Sequence, residues 1–354
     1  MSVYILFSTS WSAQNGGINA INYDLASALN ANAQEIFAIV SDATDSDISD
    51  AARLGVQLRV ASSDYSNLHN WLPALLEDLR PSLNGECLWI GHDTITGGAA
   101  LLARNIVGGK FVLFHHMDYA NYYHLKKKNG EEKISSQKSL LKQADVVFGV
   151  GPRLFANAKR LRLSAKQTYL FEPGRPSFAI AASKEFDRRI AICGRLSASE
   201  DPVKNLSASI RAAVSSINNE GNRGALTLIG AEYGSARNII GKNLPAIAVN
   251  EISYIGNREN YFSELIDNNI VMMPSVKEGF GLVGWEALCL GIPLVLSRSC
   301  GLYEWLKANN LSEYVVSVEM TGIAPFDEMA LKGALSALIG NYKDHKSRAL
   351  ELAN

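Results

Sequence analysis

Two glutamates, Glu278 and Glu286, stand eight positions apart around the turn Glu-Gly-Phe-Gly-Leu. The apolar run Ile270–Met273 leads into it and reads as a buried strand closed by Pro274. A helix from about Leu282 to Leu290 follows, ended by Gly291 and Pro293. Gly279 and Gly281 let a ligand approach the backbone, and the amides of Phe280, Gly281 and Leu282 lie where a helix N-terminus binds an anion. Glu286 is the only charged side chain between Gly279 and Ser297. Among Trp285, Ala287, Leu288 and Cys289 it needs a hydrogen-bond donor. The two hydroxyls of a ribose would serve; a neighbouring arginine is the plainer partner.

Other stretches carry matching chemistry. Gly194-Arg195-Leu196 ends an apolar strand, and Lys204-Asn205-Leu206 opens the next helix after a polar loop. Arginine offers a planar fork and lysine a point charge, a pair suited to a diphosphate. Near the N-terminus, Asn15-Gly16-Gly17 joins the strand Val3–Ser8 to the helix Ile18–Leu29. That arrangement places amides against an anion, although Gly16-Gly17 taken alone is more often a simple turn. It is neither a Walker loop nor Gly-x-Gly-x-x-Gly. The strands Cys87–Gly91 and Lys110–His115 run into His92-Asp93 and into His115-His116-Met117-Asp118. Two strand ends each offering histidine and aspartate suggest one polar pocket at the sheet's carboxyl edge. Satisfied structural histidines are the alternative, and a zinc site has the ligand types but no supporting spacing. Asp45-Ser-Asp47 has a metal-like pattern but lies in a polar stretch, and it reads as a solvated acidic loop.

The elements that must position these residues alternate along both halves. In the first, apolar strands near residues 3–8, 36–40, 57–60, 87–91, 110–115, 146–150 and 168–171 are separated by helical patterns, one of them opened by Gly97-Gly98. The second half restarts the alternation with strands at 189–193, 225–229, 246–249, 270–273, 292–296 and 314–318. Such alternation implies right-handed crossovers and parallel sheets covered on both faces, with ligands at the carboxyl ends of strands. Glu172-Pro-Gly-Arg-Pro176 reads as a connection, giving one domain over 1–182 and another over 183–354.

A chain of 354 residues is too long for one ordinary core. At 47% hydrophobic and 19% charged, with net charge −1, it is of soluble globular type and does not favour nucleic acid. No apolar run approaches the roughly 18 residues that span a bilayer. Residues 3–7 are too short for a signal-peptide core. Four scattered cysteines read as reduced core residues of a cytoplasmic protein. Charge is uneven. Residues 124–166 hold eleven Lys/Arg against three acids, whereas residues 1–123 hold five against twelve. A basic face over 126–166 suits anionic lipid headgroups or an anionic acceptor, and equally a solvated pair of helices.

Glu278-Gly-Phe-Gly-Leu…Glu286, with Pro274-Ser275 before it and Gly291-Ile-Pro293 after it, resembles the Glu-x7-Glu signature of retaining GT-B glycosyltransferases, in particular family 4. Gly-Arg195-Leu…Lys204-Asn resembles that family's pyrophosphate motif, Gly16-Gly17 its N-terminal glycine loop, and His116 followed by Asp118 its sugar-contacting histidine, although the doublet leaves His115 open for that role. The resemblance covers nearly the whole chain. It implies an α/β fold of two Rossmann-like domains facing across a cleft, with nucleotide on the second and acceptor on the first. It implies transfer of a hexose-type sugar, with UDP the favoured nucleotide, to a glycan, lipid or other hydroxyl by front-face displacement, with no metal or other cofactor. Arg195, Lys204 and the Phe280–Leu282 amides would neutralise the diphosphate. Glu286 would hold the ribose, Ile255 the base and Glu278 a sugar hydroxyl. Gly16, Gly17 and His116 would face the sugar, and His92, Asp93, His115 and Asp118 the acceptor. Peripheral contact with the inner membrane face through 126–166 is also implied. An epimerase would convert donor without acceptor, and a non-catalytic sensor would release no nucleoside diphosphate; Glu278 and Lys204 together favour a transferase.

Overall fold

Runs that are apolar throughout, such as Ile36–Val40 and Ile270–Met273, are buried on both faces in the computed structural model, as parallel strands covered by helices must be. The structure describes the chain apart from residues 1, 12–15, 32–34, 163–166, 177–184, 219–223, 232–233, 241–248 and 253–257. The chain forms two units, Met1–Ala120 with Asn129–Gly174, and Asn121–Lys128 with Arg175–Asn354. The expected boundary at 182 falls outside the described residues.

The first unit holds strands β1 (Ser2–Ser10), β2 (Glu35–Asp42), β3 (Gln57–Val60), β4 (Glu86–His92), β5 (Lys110–His115), β6 (Val146–Val150) and β7 (Gln167–Phe171). Its helices are α1 (Gly17–Asn30), α2 (Asp45–Arg53), α3 (Leu68–Leu79), α4 (Asp93–Val107), the start of α5 (Tyr119–Lys126), α6 (Glu131–Gln143) and α7 (Gly151–Arg162). The strands pair in parallel in the order β3-β2-β1-β4-β5-β6-β7. The order reverses between β1 and β4, and crossovers leave opposite faces there, opening a crevice at the strands' carboxyl ends. Its core joins Phe7, Phe37, Trp89 and Phe111 of the sheet to Trp71, Leu72, Leu76 and Leu79 of α3.

Three local expectations change. Asp45-Ser-Asp47 opens α2 rather than a loop: Thr44 Oγ1 accepts from the Asp47 amide (3.2 Å) while the Asp47 carboxylate accepts from the Thr44 amide (2.9 Å). Such a capping box, with acids at the positive end of the helix dipole, explains the carboxylates without a metal. Helix α4 starts at Asp93, five residues before Gly98. Gly97 lies within it because a Cβ on Gly91 of β4 would stand 2.7 Å from the Gly97 Cα; the glycines let strand and helix approach. Helix α5 was not expected, and its residues from Asn121 onward belong to the second unit.

The second unit holds β8 (Arg189–Cys193), β9 (Ala225–Ile229), β10 (Val249–Ile252), β11 (Ile270–Met273), β12 (Leu294–Ser297) and β13 (Val316–Val318). Around them lie α8 (Asp201–Lys204), α9 (Leu206–Asn218), α10 (Ser235–Ile240), α11 (Arg258–Ile266), α12 (Leu282–Cys289), α13 (Gly301–Ala308), α14 (Ala324–Gly340) and α15 (Tyr342–Ala353). The parallel order is β10-β9-β8-β11-β12-β13, with its reversal between β8 and β11. A separate core gathers Ile190, Ile192, Leu226, Leu228 and Met272 under α9 and α14. No described helix is long and apolar enough to cross a membrane.

One buried carboxylate ties α14 to the end of α8. Asp327 of α14 is fully buried and accepts from Asn205 Nδ2 (3.0 Å), the Thr321 amide and hydroxyl (2.8 Å each) and the Gly322 amide (2.9 Å). Asn205 ends α8 in the left-handed conformation, φ 57°, immediately after Lys204. We predict that Asp327→Ala, which strands these donors, costs about 3 kcal/mol, a fall in Tm of roughly 6–12 °C for a unit of this size. Calorimetry checks it, and a loss below about 1 kcal/mol would refute the role given to this carboxylate.

Candidate functional site

The reversal between β8 and β11 gathers the second half's charged candidates. β8 runs into Gly194-Arg195, β11 into Pro274-Ser275 and Glu278, and the Val276 amide donates to the Val203 carbonyl of α8 (2.9 Å), locking the two loops. Lys204 Nζ and Glu278 Oε2 thereby form an ion pair, each side chain 23% exposed. Glu278 Oε2 also accepts from Ser275 Oγ (3.3 Å), and its main chain bridges to Cys300. Arg195 is exposed nearby and acts electrostatically on Lys204. The sequence assigned Lys204 to phosphate and Glu278 to a sugar; the fold joins them to each other.

Burial alone would raise the Glu278 carboxyl, but the Lys204 charge and hydrogen bond outweigh it and hold it below 4.5. Burial likewise disfavours the Lys204 cation, and Glu278 overcomes this, lifting it above 10.5. The lowered Glu278 contributes stability that is full above its unfolded value and is lost as pH falls through the folded one. The raised Lys204 contributes stability that is full below its unfolded value and is lost as pH rises through the folded one. The pair therefore holds across the neutral range.

Helix α12 begins directly after this pair. Gly281 caps it at φ 100°, and a Cβ there would collide with Met273 Cε and meet Cys300 Sγ at 2.6 Å, so a side chain is excluded. The first-turn amides of a helix lack intrahelical acceptors, so the start of α12, at Leu282, is chemically suited to an anion. Phe280 is buried beneath it. Glu286, one turn on, is 9% exposed and accepts from the Tyr261 hydroxyl (2.9 Å). Tyr261, on α11, was not singled out in the sequence, because a tyrosine in an amphipathic helix gives no signal of its partner. Burial pushes the Cys289 thiol up to about 12; the Arg175 charge opposes this and the Glu286 charge adds to it. Ile255 lies outside the described residues.

In the first unit, Gly16 caps α1 at φ 105° and Gly17 is its first residue. The histidine-aspartate strand ends do meet at the carboxyl edge of β4 and β5, but mostly beneath the surface. His92 and His115 are fully buried and Asp93 is 1% exposed. His115 Nδ1 lies 2.9 Å from Asp93 Oδ1 and its Nε2 3.0 Å from Asn157 Oδ1. Burial opposes its charge, yet Asp93, Asn157 and Asp118 together raise its pKa. With acceptors on both nitrogens it is held as an imidazolium. Asp93 Oδ2 accepts from the amides of His116 (2.8 Å) and Met117 (2.9 Å). His92, Asp93 and His115 therefore cannot touch an acceptor as expected; buried polar groups need partners, and these satisfy one another. Half-buried Asp118 receives Asn157 Nδ2 (2.9 Å). His116 is half-buried, with Nε2 2.8 Å from His92 Nδ1. Burial, then His92 and His115, keep it well below its ordinary pKa and hence neutral.

The basic segment 126–166 also needs correction at two positions. Lys126 is 8% exposed and donates to Glu200 Oε1 and the Tyr122 hydroxyl, 2.8 and 2.7 Å, within the second unit. Arg162 is 3% exposed and donates to the Ala144 and Gln167 carbonyls. Neither reaches a surface partner. Lys127, Lys128, Lys133, Lys138, Lys142, Lys159 and Arg160 remain exposed.

The profile of the family described as "Family 4 Glycosyltransferase in conflict systems" matches residues 5–354. Among solved structures, sucrose-phosphate synthase from Thermosynechococcus elongatus is 18% identical, with a TM-score of 0.73 over 100% of this chain and 95% of that one. HepE of Anabaena, solved in complex with UDP and glucose, is 14% identical, TM-score 0.70, over 100% and 94%. WaaG, a glycosyltransferase involved in lipopolysaccharide biosynthesis, is 12% identical, TM-score 0.68, over 100% and 95%. Identities this low show the fold alone, the α/β fold of GT-B glycosyltransferases. No curated protein matches the chain significantly.

The opposed shifts of Glu278 and Lys204 make a prediction. In Lys204→Met the burial of Glu278 remains while its cation is gone, so its carboxyl should titrate above 4.5 instead of below. Carbon-13 titration of labelled glutamate would show this, and an unmoved Glu278 would refute the coupling.

Proposed function

Because this chain belongs to the family 4 glycosyltransferases of conflict systems, we propose that it is a retaining hexosyltransferase taking its sugar from a UDP-sugar. The observation that carries this is the Lys204–Glu278 pair beside Arg195, at the edge where α12 begins. Arg195, Lys204 and the amides of Phe280, Gly281 and Leu282 neutralise the diphosphate as its charge grows, supplying the positive charge a metal would otherwise bring. Glu286, oriented by Tyr261, holds the ribose, and Ile255 meets the base. Glu278 accepts from a sugar hydroxyl, fixed in place by Lys204. Gly16, Gly17 and His116 contact the transferred sugar, and His116 takes that role over His115 because His115 has both nitrogens engaged and no exposure.

The bond from the anomeric carbon to the phosphate oxygen breaks as an acceptor hydroxyl attacks from the same face, and its proton passes to the leaving phosphate. No side chain forms a covalent intermediate. The acceptor is a hydroxyl of a glycan or lipid-linked sugar, and the exposed cations of 127–160 hold the enzyme against the anionic inner face of a membrane. HepE, solved with UDP and glucose, supports the choice of UDP.

A nucleotide sugar that binds the folded protein raises its Tm by mass action. Among UDP-, GDP- and ADP-glucose, the UDP sugar is expected to give the largest thermal shift. With that donor, Lys204→Ala and Glu278→Ala should each lower transfer on the order of 10²-fold. Undiminished transfer in either variant would overturn the assignment, and donor conversion without release of UDP would replace it with an epimerase.

A further inference from the structure

A chain of hydrogen bonds leads from a backbone carbonyl of β1 to His116, and the carbonyl fixes the direction of every link. Ser8 Oγ donates to the Ser10 carbonyl (2.9 Å), an atom that can only accept. With its one proton committed there, Ser8 Oγ accepts from Asn22 Nδ2 (3.1 Å). The Asn22 amide is thereby oriented, and its Oδ1 faces His92 Nε2 at 2.9 Å. An amide oxygen cannot donate, so His92 carries its proton on Nε2. Burial drives the His92 pKa down to about 3, so the ring is neutral and its Nδ1 is a bare lone pair. The group facing that lone pair at 2.8 Å is His116 Nε2, which must therefore donate. His116, itself neutral, is left with an unprotonated Nδ1.

From this geometry we infer that His92 is a positioning residue: it fixes His116 as the Nε2–H tautomer and so makes His116 Nδ1 an obligate hydrogen-bond acceptor for a ligand hydroxyl. The inference rests on the reading of His116 as a substrate contact and extends it to the chemistry the contact accepts. A hydroxyl donates to Nδ1; a phosphate or carboxylate oxygen placed there would set lone pair against lone pair. Three further features hold the ring. Asp93 takes the His116 amide, Phe114 stacks on the imidazole with centroids 6.2 Å apart, and the His92 ring lies 5.0 Å away. The titratable groups facing His116 are His92 of β4, His115 of β5 and Asp93 of α4. Of these, His115 is the cation that opposes a second proton on His116. The polarity of the chain, set at Ser10, decides what the surface presents.

The test reads the tautomer directly on the full-length protein. Nitrogen-15 spectra of histidine-labelled wild type, with His116 identified by the signals lost in His116→Gln, should show Nε2 protonated and Nδ1 bare at pH 7. His92→Phe removes the acceptor, and His116 should then show mixed tautomers. In His92→Asn the side-chain oxygen can take the place of Nδ1, and the single tautomer should return. Calorimetry supplies the second readout. The margin by which UDP-glucose binds more tightly than UDP should fall about tenfold in His92→Phe, the worth of one hydrogen bond, and recover in His92→Asn. A protonated Nδ1 or an imidazolium in the wild type overturns the inference. So does equal weakening of that margin in His92→Phe and His92→Asn. A wild type that binds no nucleotide sugar while His116 is in the Nε2–H form retires the transferase donor reading and upholds the positioning by His92.

Discussion

A lysine and a glutamate that are three-quarters buried keep their charges only by holding each other, and much of the second unit serves that pair. Leaving either charge unpaired in that setting would be strongly destabilising, because the desolvation is met only by the partner. The fold brings them together from positions seventy-four residues apart. The Val276–Val203 hydrogen bond fixes one loop to the other, and the bridge from Glu278 to Cys300 fixes the second loop to the start of α13. Asn205, in its left-handed conformation and tied to Asp327, ends α8 so that Lys204 faces inward. Lys204 has three N–H groups, so pairing with Glu278 orients the ammonium without exhausting it.

The first unit handles buried polarity by other means. It encloses one charged histidine, His115, between Asp93 and Asn157, and leaves His92 and His116 neutral in directed hydrogen bonds. In the second unit the Lys204–Glu278 pair lies where the strand order reverses, at β8/β11; in the first the histidines lie at the carboxyl ends of β4 and β5, with Asn22 of α1 reaching them beside the β1/β4 reversal. Diverging crossovers open the sheet there, so polar side chains find room at strand ends that elsewhere are covered by helices.

The parts of this arrangement that were legible in the sequence are the local ones. Apolar runs punctuated by glycine and proline marked most strands of both sheets, and the motifs holding Arg195, Lys204, Glu278 and Glu286 marked residues that the fold gathers at the carboxyl ends of β8 and β11. What local pattern could not convey is which distant groups meet. Nothing near Asn22, Gln137 or Asn157 distinguishes it from a surface amide, yet each is placed against a strand-end histidine or aspartate: Asn22 on His92, Gln137 on Asp93 at 3.2 Å, Asn157 on His115. The same gap led Lys126 to be read as part of a basic surface, because charge counting along the chain cannot see Glu200, seventy-four residues away. Gly97-Gly98 misled for a related reason. Glycines signal a turn locally, but here the absent side chain serves the contact between Gly91 and Gly97.

The two edges differ in kind, and the difference follows from the surrounding groups rather than from the topology they share. At the second sheet's edge Lys204 is paired with Glu278 and Lys126 with Glu200, and the exposed Arg195 adds a further positive charge beside them. Burial acts against ionising Glu200, yet Lys126 and Tyr122 hydrogen bonds, with the Arg195 charge, hold it ionised. Such an edge favours an anion and weakens with salt where it is exposed. At the first sheet's edge His115 is sealed between Asp93 and Asn157, and half-buried His116 is a neutral imidazole. His116 offers direction without charge. A polyanion gains little there, whereas a hydroxyl gains a hydrogen bond whose geometry is set five links away at the Ser10 carbonyl.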